Sequence, residues 1–425
     1  MHRIINFLEK IFSVITLLVF TDVLSFRSWY TPSENQGNWL AALSSSNYGS
    51  SPLDPMLSII RWGIYGVTIF LILARWKSVV FRAFTEPFLW LLLGMALTSF
   101  IWSDFPSVSL RTAFTTLASS LVGVYLSSRY SLKEQLQLVA WALGIAALLC
   151  ILYTLVFPGV GIEQDARRAA WRGTFSQKNS FGLLILLAGV TLLLTVMNNP
   201  RYRYLGLPIS GISIVMLWLS NATTSLLLFI TLMILVPIYS ALRWSDILLI
   251  PLLMSVVLIL GGVSIWFMIN WESFLTNIGR DISLTGRTDL WKVAIDKIGE
   301  RPWLGYGYQA FWQEKGEGFI VRHLIQYNAP HAHNGFIELG LELGLLGVLF
   351  FVLSILLTYK RAVARVRLGK TSEDLWPLLY LTFLLIYNQT EVRIIEPYSY
   401  CWILQVSITL SLKRIPLVQG TSRGN

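Results

Sequence analysis

The pair His333-Asn334 stands at the start of an apolar, glycine-bearing run, Gly335-Phe336-Ile337-Glu338-Leu339-Gly340-Leu341-Glu342-Leu343-Gly344-Leu345-Leu346-Gly347. A histidine exchanges protons near neutral pH, and polar groups at the mouth of a membrane helix are costly enough to need a reason. As a general base, His333 would take a proton from a hydroxyl as it attacks. As a structural residue, it would hydrogen-bond a loop and order the start of the helix. The residue types alone leave both readings open. His331 completes a His-x-His pair, but residues two apart do not share a helix face. No cysteine or tight carboxylate cluster accompanies them, and a zinc site takes three or four ligands. No metal site is therefore expected. His2 is terminal and His323 is expected in solvent. Gly344 and Gly347 are expected to admit close helix packing.

Cations form the second group. Two segments placed outside by the charge pattern below are unexpectedly rich in arginine. One is Asp165-Ala166-Arg167-Arg168-Ala169-Ala170-Trp171-Arg172-Gly173-Thr174-Phe175-Ser176-Gln177-Lys178-Asn179; the other, Trp271–Ala332, holds Arg280, Arg287, Arg301 and Arg322. Arginine presents a planar fork of donors suited to phosphate oxygens. Cations gathered beside a bilayer suggest a phosphate-bearing lipid headgroup. Within the longer segment, Thr288–Glu300 reads as an amphipathic helix, with Leu290, Ala294 and Ile298 at intervals of four beside Trp291 and Ile295. Arg301-Pro302 ends it, because a residue before proline avoids helical geometry. Gly286-Arg287-Thr288 lies at its start, where a helix N-terminus attracts anions. Arg287 could serve phosphate there, or it could pair with Asp281 or Asp289. Arg111, at the end of the segment from Trp102, lies about one turn into a span. It is expected either to pair with Asp104 or to face substrate.

The elements that must position these groups are membrane helices. The hydrophobic fraction is 55% and the charged fraction 13%, against roughly a quarter charged in soluble domains. Runs such as Phe88–Ile101, Leu183–Val196 and Ile247–Met268 carry no charge. A bilayer core takes about 20 apolar residues per helix, and the pattern suggests about twelve spans, centred near residues 16, 66, 94, 117, 145, 188, 212, 233, 258, 345, 382 and 405. Ile11–Leu24 has no small-residue cleavage site after it and is expected to be a retained span. Arg75, Lys77, Arg82, Arg129, Lys133, Arg201, Arg203, Arg243, Lys360, Arg361, Arg365, Arg367 and Lys370 fall in alternate loops, which places those loops and both termini in the cytoplasm. Spans one to nine then cover 1–270, a long outer loop 271–332, spans ten to twelve 333–413, and a cytoplasmic tail 414–425. The net charge of +10 suits an anionic inner leaflet. No basic region is interleaved with aromatics in a nucleic-acid pattern. Cys150 and Cys401 sit inside spans and read as small apolar residues, not as a disulfide framework.

Taken together, these motifs resemble the O-antigen ligase and polysaccharide polymerase superfamily of bacterial membrane glycosyltransferases. The ligase signature is His, then Asn, Ser or Gln, nine residues, Gly, two residues and a small residue. His333, Asn334, Gly344 and Gly347 meet it. Further matches are Thr285–Trp291, Pro302-Trp303-Leu304-Gly305-Tyr306-Gly307 with Phe311, Arg172–Asn179, Trp102–Arg111 and Glu391. They cover residues 100–400 in order, and the Arg172–Asn179 variant is most similar to the exopolysaccharide-polymerase branch. The resemblance implies an all-α, polytopic GT-C-like fold with a helical periplasmic loop in the bacterial inner membrane. It implies a polyprenyl-diphosphate-linked glycan donor, a glycan or lipid A core acceptor, and metal-independent, inverting transfer with no cofactor. Arg287, Arg172, Lys178 and Arg111 would hold the diphosphate, His333 would activate the acceptor hydroxyl, and Asn334 and Glu391 would support them. Other polysaccharide-export proteins are candidate partners.

One departure matters. Ligases usually carry a second arginine at the outer start of the eighth span. Here the stretch reads Ser220-Asn221-Ala222-Thr223-Thr224-Ser225, with Thr223 and Thr224 where the cation would be. Arg172 or Lys178 could supply the charge, or activity could be altered or lost. Polymerase and ligase share donor chemistry and differ in acceptor; the lysine-asparagine variant favours a polymerase. A transporter would place polar groups mid-bilayer on broken helices, often with internal repeats, whereas here they crowd at one face. A non-catalytic scaffold is the reading the missing arginine would favour.

Overall fold

The computed structural model describes residues 2–29, 51–77, 79, 85–164, 169–199, 201–251, 254–255, 287–325 and 329–412. The expected span near 258, the tail from 414, and Arg167, Arg168, Arg280 and Gly286 lie outside them. The helices are α1 (His2–Phe20), α2 (Asp54–Leu73), α3 (Pro87–Thr98), α4 (Pro106–Arg129), α5 (Leu132–Val156), α6 (Lys178–Met197), α7 (Gly206–Leu219), α8 (Thr223–Ala241), α9 (Arg287–Glu300), α10 (Glu317–Ile325), α11 (Gly335–Leu368), α12 (Trp376–Tyr387) and α13 (Tyr400–Ser411). Eleven of the expected span centres fall on helices. By length and composition α2, α5, α6, α8 and α11 can each cross a membrane. The molecule is an all-α polytopic membrane protein. A short hairpin, β1 (Ile162–Gln164) antiparallel to β2 (Ala169–Trp171), pairs Ile162 with Trp171.

Local signals set several helix ends. Pro87 and Pro106 occupy first-turn positions in α3 and α4, where a missing N–H costs nothing. Ser131 and Glu134 form a reciprocal capping box at α5. At the centre, α4 presents Ser109, Thr116, Ser119 and Ser120 as buried residues. Their hydroxyls bond back onto the helix or across to neighbours: Trp402 Nε1 of α13 donates to Ser120 Oγ at 2.8 Å. Small residues let helix backbones approach closely in lipid. A Cβ at Gly123 would lie 2.7 Å from the Ile403 carbonyl oxygen. Large apolar side chains such as Ile59, Phe70, Leu207 and Ile247 are exposed on the outside of the bundle, as lipid-facing residues are.

Charged groups sort to two ends. Glu9 pairs with Arg75 and Arg129, Glu86 with Arg361, and Arg367 with Asp246. Arg243 donates to the carbonyls of Val366, Lys370 and Thr371. All these residues come from or adjoin the loops expected to share one side. The residues of the histidine region gather elsewhere.

The most consequential feature of the fold is a break in α11. Gly344 has φ 64° and ψ −170°, so the helix stops and restarts there. An unbroken helix would pair the N–H of residue 345 with the carbonyl of 341, and 346 with 342. Instead the segment Pro302–Gly307 inserts. Tyr306 N–H donates to Leu341 O at 2.8 Å and Gly307 N–H to Glu342 O at 3.0 Å, while Leu345 N–H donates to Pro302 O at 2.7 Å and Leu346 N–H to Trp303 O at 3.4 Å. All four interrupted groups regain partners, as buried backbone requires. Glycine is needed on both sides of the junction. A Cβ on Gly344 would sit 2.4 Å from the Trp303 backbone, and one on Gly305, also at positive φ, 2.5 Å from Leu341 O. The expectation that Gly344 serves helix–helix packing is therefore corrected: it makes a break that receives a loop.

Candidate active site

The residues leading to His333 are held from three directions. Trp291 of α9 donates to Ala332 O at 2.8 Å. The carboxylate of Glu338, in the first turn of α11, accepts from Ala332 N–H at 2.7 Å and from Trp312 Nε1 at 3.0 Å. His331 Nδ1 accepts from His333 N–H at 3.1 Å. His333 itself has φ 50°, a left-handed conformation that a non-glycine residue holds only when its surroundings impose it. Asn334 is the N-cap of α11, its Oδ1 accepting from Phe336 N–H at 2.9 Å and Ile337 N–H at 3.2 Å. Asparagine is a strong residue for that task.

The opposite wall is the loop after α12. Gly335 N–H donates to Asn388 O at 2.8 Å, and Asn388 Oδ1 accepts from Arg393 N–H at 2.7 Å. A Cβ at Gly335 would fall 2.3 Å from Asn388 Oδ1, so the helix start and this loop are in direct contact. Glu391, 7% exposed, is the meeting point. Its Oε1 accepts from Asn179 Nδ2 at 2.8 Å and lies 3.9 Å from Arg287 Nη2, and its Oε2 lies 3.9 Å from His333 Nδ1. Arg287 also donates to Thr390 O at 3.0 Å. Residues from α6, α9, the start of α11 and the loop after α12 thus converge on one point.

Protonation follows from this environment. Burial, then the Arg287 guanidinium, push the His333 imidazole down to about 4. Burial pushes His331 well below the usual range too, with His333, Arg393 and Arg287 adding to it. Burial raises the Glu391 carboxyl, opposed by Arg393 and Arg287. At neutral pH His333 is a neutral imidazole, the form that accepts a proton.

His331, His333 and Glu391 bring ligand atoms within 4.8 Å of one another. The helix-face argument against a His-x-His ligand pair does not apply, because both residues lie in a loop. Electrostatics speaks instead. Two guanidinium groups, Arg287 and Arg393, act on this cluster, and His331 Nδ1 is engaged by a backbone N–H. Both features disfavour a divalent cation there.

The other expected site residues are placed as follows. Arg172 is 5% exposed, and its guanidinium donates to the carbonyls of Val160 (3.0 Å), Ser176 (3.4 Å) and Ser28 (3.2 Å). It clamps the loop before α6 through three backbone carbonyls. Lys178 is the first residue of α6, beside Asn179. Arg111 is exposed on α4. Asp104, its expected partner, pairs with Arg301 at 2.9 Å. Asp281 is not described, and Arg287 pairs with Glu391, not Asp289. Ile295, expected on the buried face of α9, is exposed, whereas Leu290 and Ala294 are fully buried. The Ser220–Ser225 corner packs on α6: a Cβ at Gly182 would meet Ala222 at 2.5 Å and Ser225 at 3.0 Å. That contact is less than one helical turn from Asn179. Sequence reasoning missed Asn388, Arg393 and the positioning parts of His331 and Glu338. It noted Asn179 only as part of a motif.

The motifs therefore separate into a centre and a scaffold. Trp102 Nε1 donates to Leu304 O at 3.0 Å and Asp104 N–H to Tyr306 O at 3.4 Å. The Trp102 segment thus braces Pro302–Gly307, which in turn repairs the break in α11. The model of one family, described as O-Antigen ligase, matches residues 208–352, a range that includes Arg287, His333 and the break. The exopolysaccharide production protein ExoQ of Rhizobium meliloti (strain 1021) is 26% identical over 396 residues, covering 88% of each chain. That alignment extends well beyond the matched family range. The chain is thus similar to the O-antigen ligase family over residues 208–352 and to an exopolysaccharide production protein along most of its length.

Proposed function

We propose that the protein polymerises a bacterial surface polysaccharide, moving a glycan from a polyprenyl-diphosphate carrier to a sugar hydroxyl at the periplasmic face of the inner membrane. His333 is the general base. With the Nδ1 proton facing Glu391, Nε2 is left to take the proton of the attacking hydroxyl. The hydroxyl oxygen bonds to the anomeric carbon as that carbon's bond to the diphosphate oxygen breaks, inverting the centre. The electron pair leaves with the polyprenyl diphosphate. Arg287 meets the charge that develops there, with Lys178 and Arg111 as further cations. Neither a metal nor a cofactor takes part. Arg172 contributes by holding the loop that carries Lys178 and Asn179.

The single observation that carries this reading is the convergence of Asn179, Arg287, His333 and Glu391, four residues of separate motifs, at one buried point. Similarity to an exopolysaccharide production protein favours a polymerase over a ligase acting on lipid A core. The test supplies the purified protein with polyprenyl-diphosphate-linked repeat units in the presence of EDTA. Polymer should form, with one polyprenyl diphosphate released per new linkage. Release without polymer, or a requirement for added metal, would contradict the scheme.

A further inference from the structure

A second polar cavity adjoins this centre. Its volume is about 370 Å³, and Asp22, Arg27, Arg61, Arg393, Glu396 and Tyr398 line it, with Phe20, Phe175 and Ser180. That volume falls in the range of small-molecule sites, about 300–1,000 Å³. It shares structure with the histidine site. Glu391 faces His333, while Arg393 and Glu396 of the same loop face the cavity. Asn179 binds Glu391, while Ser180, the next residue of α6, lines the cavity. One loop and one helical turn separate the two.

The lining suits a particular chemistry. Arg61 pairs with Asp22 at 2.9 Å, Arg27 with Asp22 at 2.7 Å and Asp54 at 3.1 Å, and Arg393 with Glu396 at 2.6 Å. The lining holds three cations and two acids, with Asp54 behind Arg27 as a third acid, so each cation already has a carboxylate partner and a phosphate gains little net attraction. Yet Arg61, only 7% exposed, keeps a buried Nε with no hydrogen-bond partner among the described residues, and so does Arg393. A buried donor left unpaired is costly, and both of these arginines border the cavity. The Arg61 guanidinium also sits 4.9 Å from the centre of the Tyr398 ring. Donors, carboxylate acceptors and aromatic faces around a space whose cations are already paired match a hydroxyl-rich ring.

We propose that this cavity is a saccharide subsite that seats the terminal sugar of the acceptor glycan, so that its hydroxyl reaches His333 across the Glu391–Glu396 loop. The assignment to the acceptor rests on the transferase reading above; the affinity for sugar does not. The test uses the full chain in lipid nanodiscs. The probe is a lipid-free oligosaccharide mixture, made by partial acid hydrolysis of the surface polysaccharide of the host cell. Ser180→Trp adds bulk at the cavity and replaces no ion-pair residue, and Tyr398→Ala removes the aromatic face if the tryptophan variant does not fold. Either should weaken oligosaccharide binding tenfold or more by calorimetry. In polymerisation, each should raise KM for the acceptor tenfold while kcat stays within threefold. His333→Gln should bind the oligosaccharide as the wild type does. Absence of binding by the wild type, or unchanged binding and KM in both cavity variants, would overturn the inference. Binding that the cavity variants lose, in a protein that transfers no sugar, would keep the subsite and refute the transferase reading.

Discussion

If His333 is the base, lowering pH should leave the rate of transfer nearly untouched far below the usual histidine range. An ordinary imidazole of pKa about 6.5 is roughly three-quarters neutral at pH 7 and about one-tenth neutral at pH 5.5. The rate would then fall about eightfold between those values. Burial and Arg287 push His333 down to about 4. At pH 5.5 about 97% of such a base is still neutral, so kcat/KM should stay level to about pH 5 and fall tenfold per unit below about 4. Two refinements follow. The donor brings a diphosphate, whose negative charge favours the imidazolium, so the limb in kcat should lie above the limb in kcat/KM. Arg287→Gln removes one of the two causes of the shift, so its limb should move upward as well. The shift also has a stability consequence. Because the folded pKa is depressed, the unfolded chain takes up a proton between pH 6.5 and about 4 that the folded chain refuses. Stability is therefore complete above 6.5 and lost as pH falls through that window. The assay is the initial rate of polymer formation by proteoliposomes across pH 4–8, with thermal unfolding at each pH as control. A wild-type kcat/KM limb near 6.5, on a protein still folded, would refute the reasoning.

Three further outcomes are expected. Arg172→Ala should lower the melting temperature, because the charged donor shared by three carbonyls is worth about 1.5–3 kcal/mol, and Arg172→Lys should rescue little; normal melting with a raised KM for donor would return Arg172 to the phosphate site. Gly344→Ala should destabilise the protein and abolish transfer, since its Cβ would lie 2.4 Å from the Trp303 backbone; an unchanged melting temperature would mean that the junction is soft. His331→Ala should slow transfer by about tenfold, the effect of roughly 1.4 kcal/mol of lost positioning, because its ring accepts the His333 N–H, and His331→Asn should restore part of it. A wild-type rate in the alanine variant would contradict that role.

The helices and the motifs were legible in the sequence because they rest on local patterns. Apolar run length marks a span, and Arg301-Pro302 ends α9 where the residue order says it should. What was not legible depends on distance along the chain or on backbone partners. Asn179 and Glu391 are 212 residues apart, and neither residue type announces the other. Arg172 looks like a phosphate ligand by type and setting, yet its partners are carbonyl oxygens, which leave no trace in side-chain identity. The break at Gly344 is hidden because apolar residues continue on both sides. Only the inserted Pro302–Gly307 backbone reveals why glycine stands there. The expectation that Asp104 serves Arg111 failed because a closer cation, Arg301, comes from a segment 197 residues away.

The central claim is that His333 accepts the proton of the attacking sugar. Its most direct test is His333→Gln, purified in the folded state and given polyprenyl-diphosphate-linked repeat units, with donor binding and linkage formation measured on the same sample. The account predicts donor binding within threefold of wild type and transfer reduced by about 10²–10⁴-fold, the usual contribution of a general base. Polymer formed at the wild-type rate by the glutamine variant would contradict it.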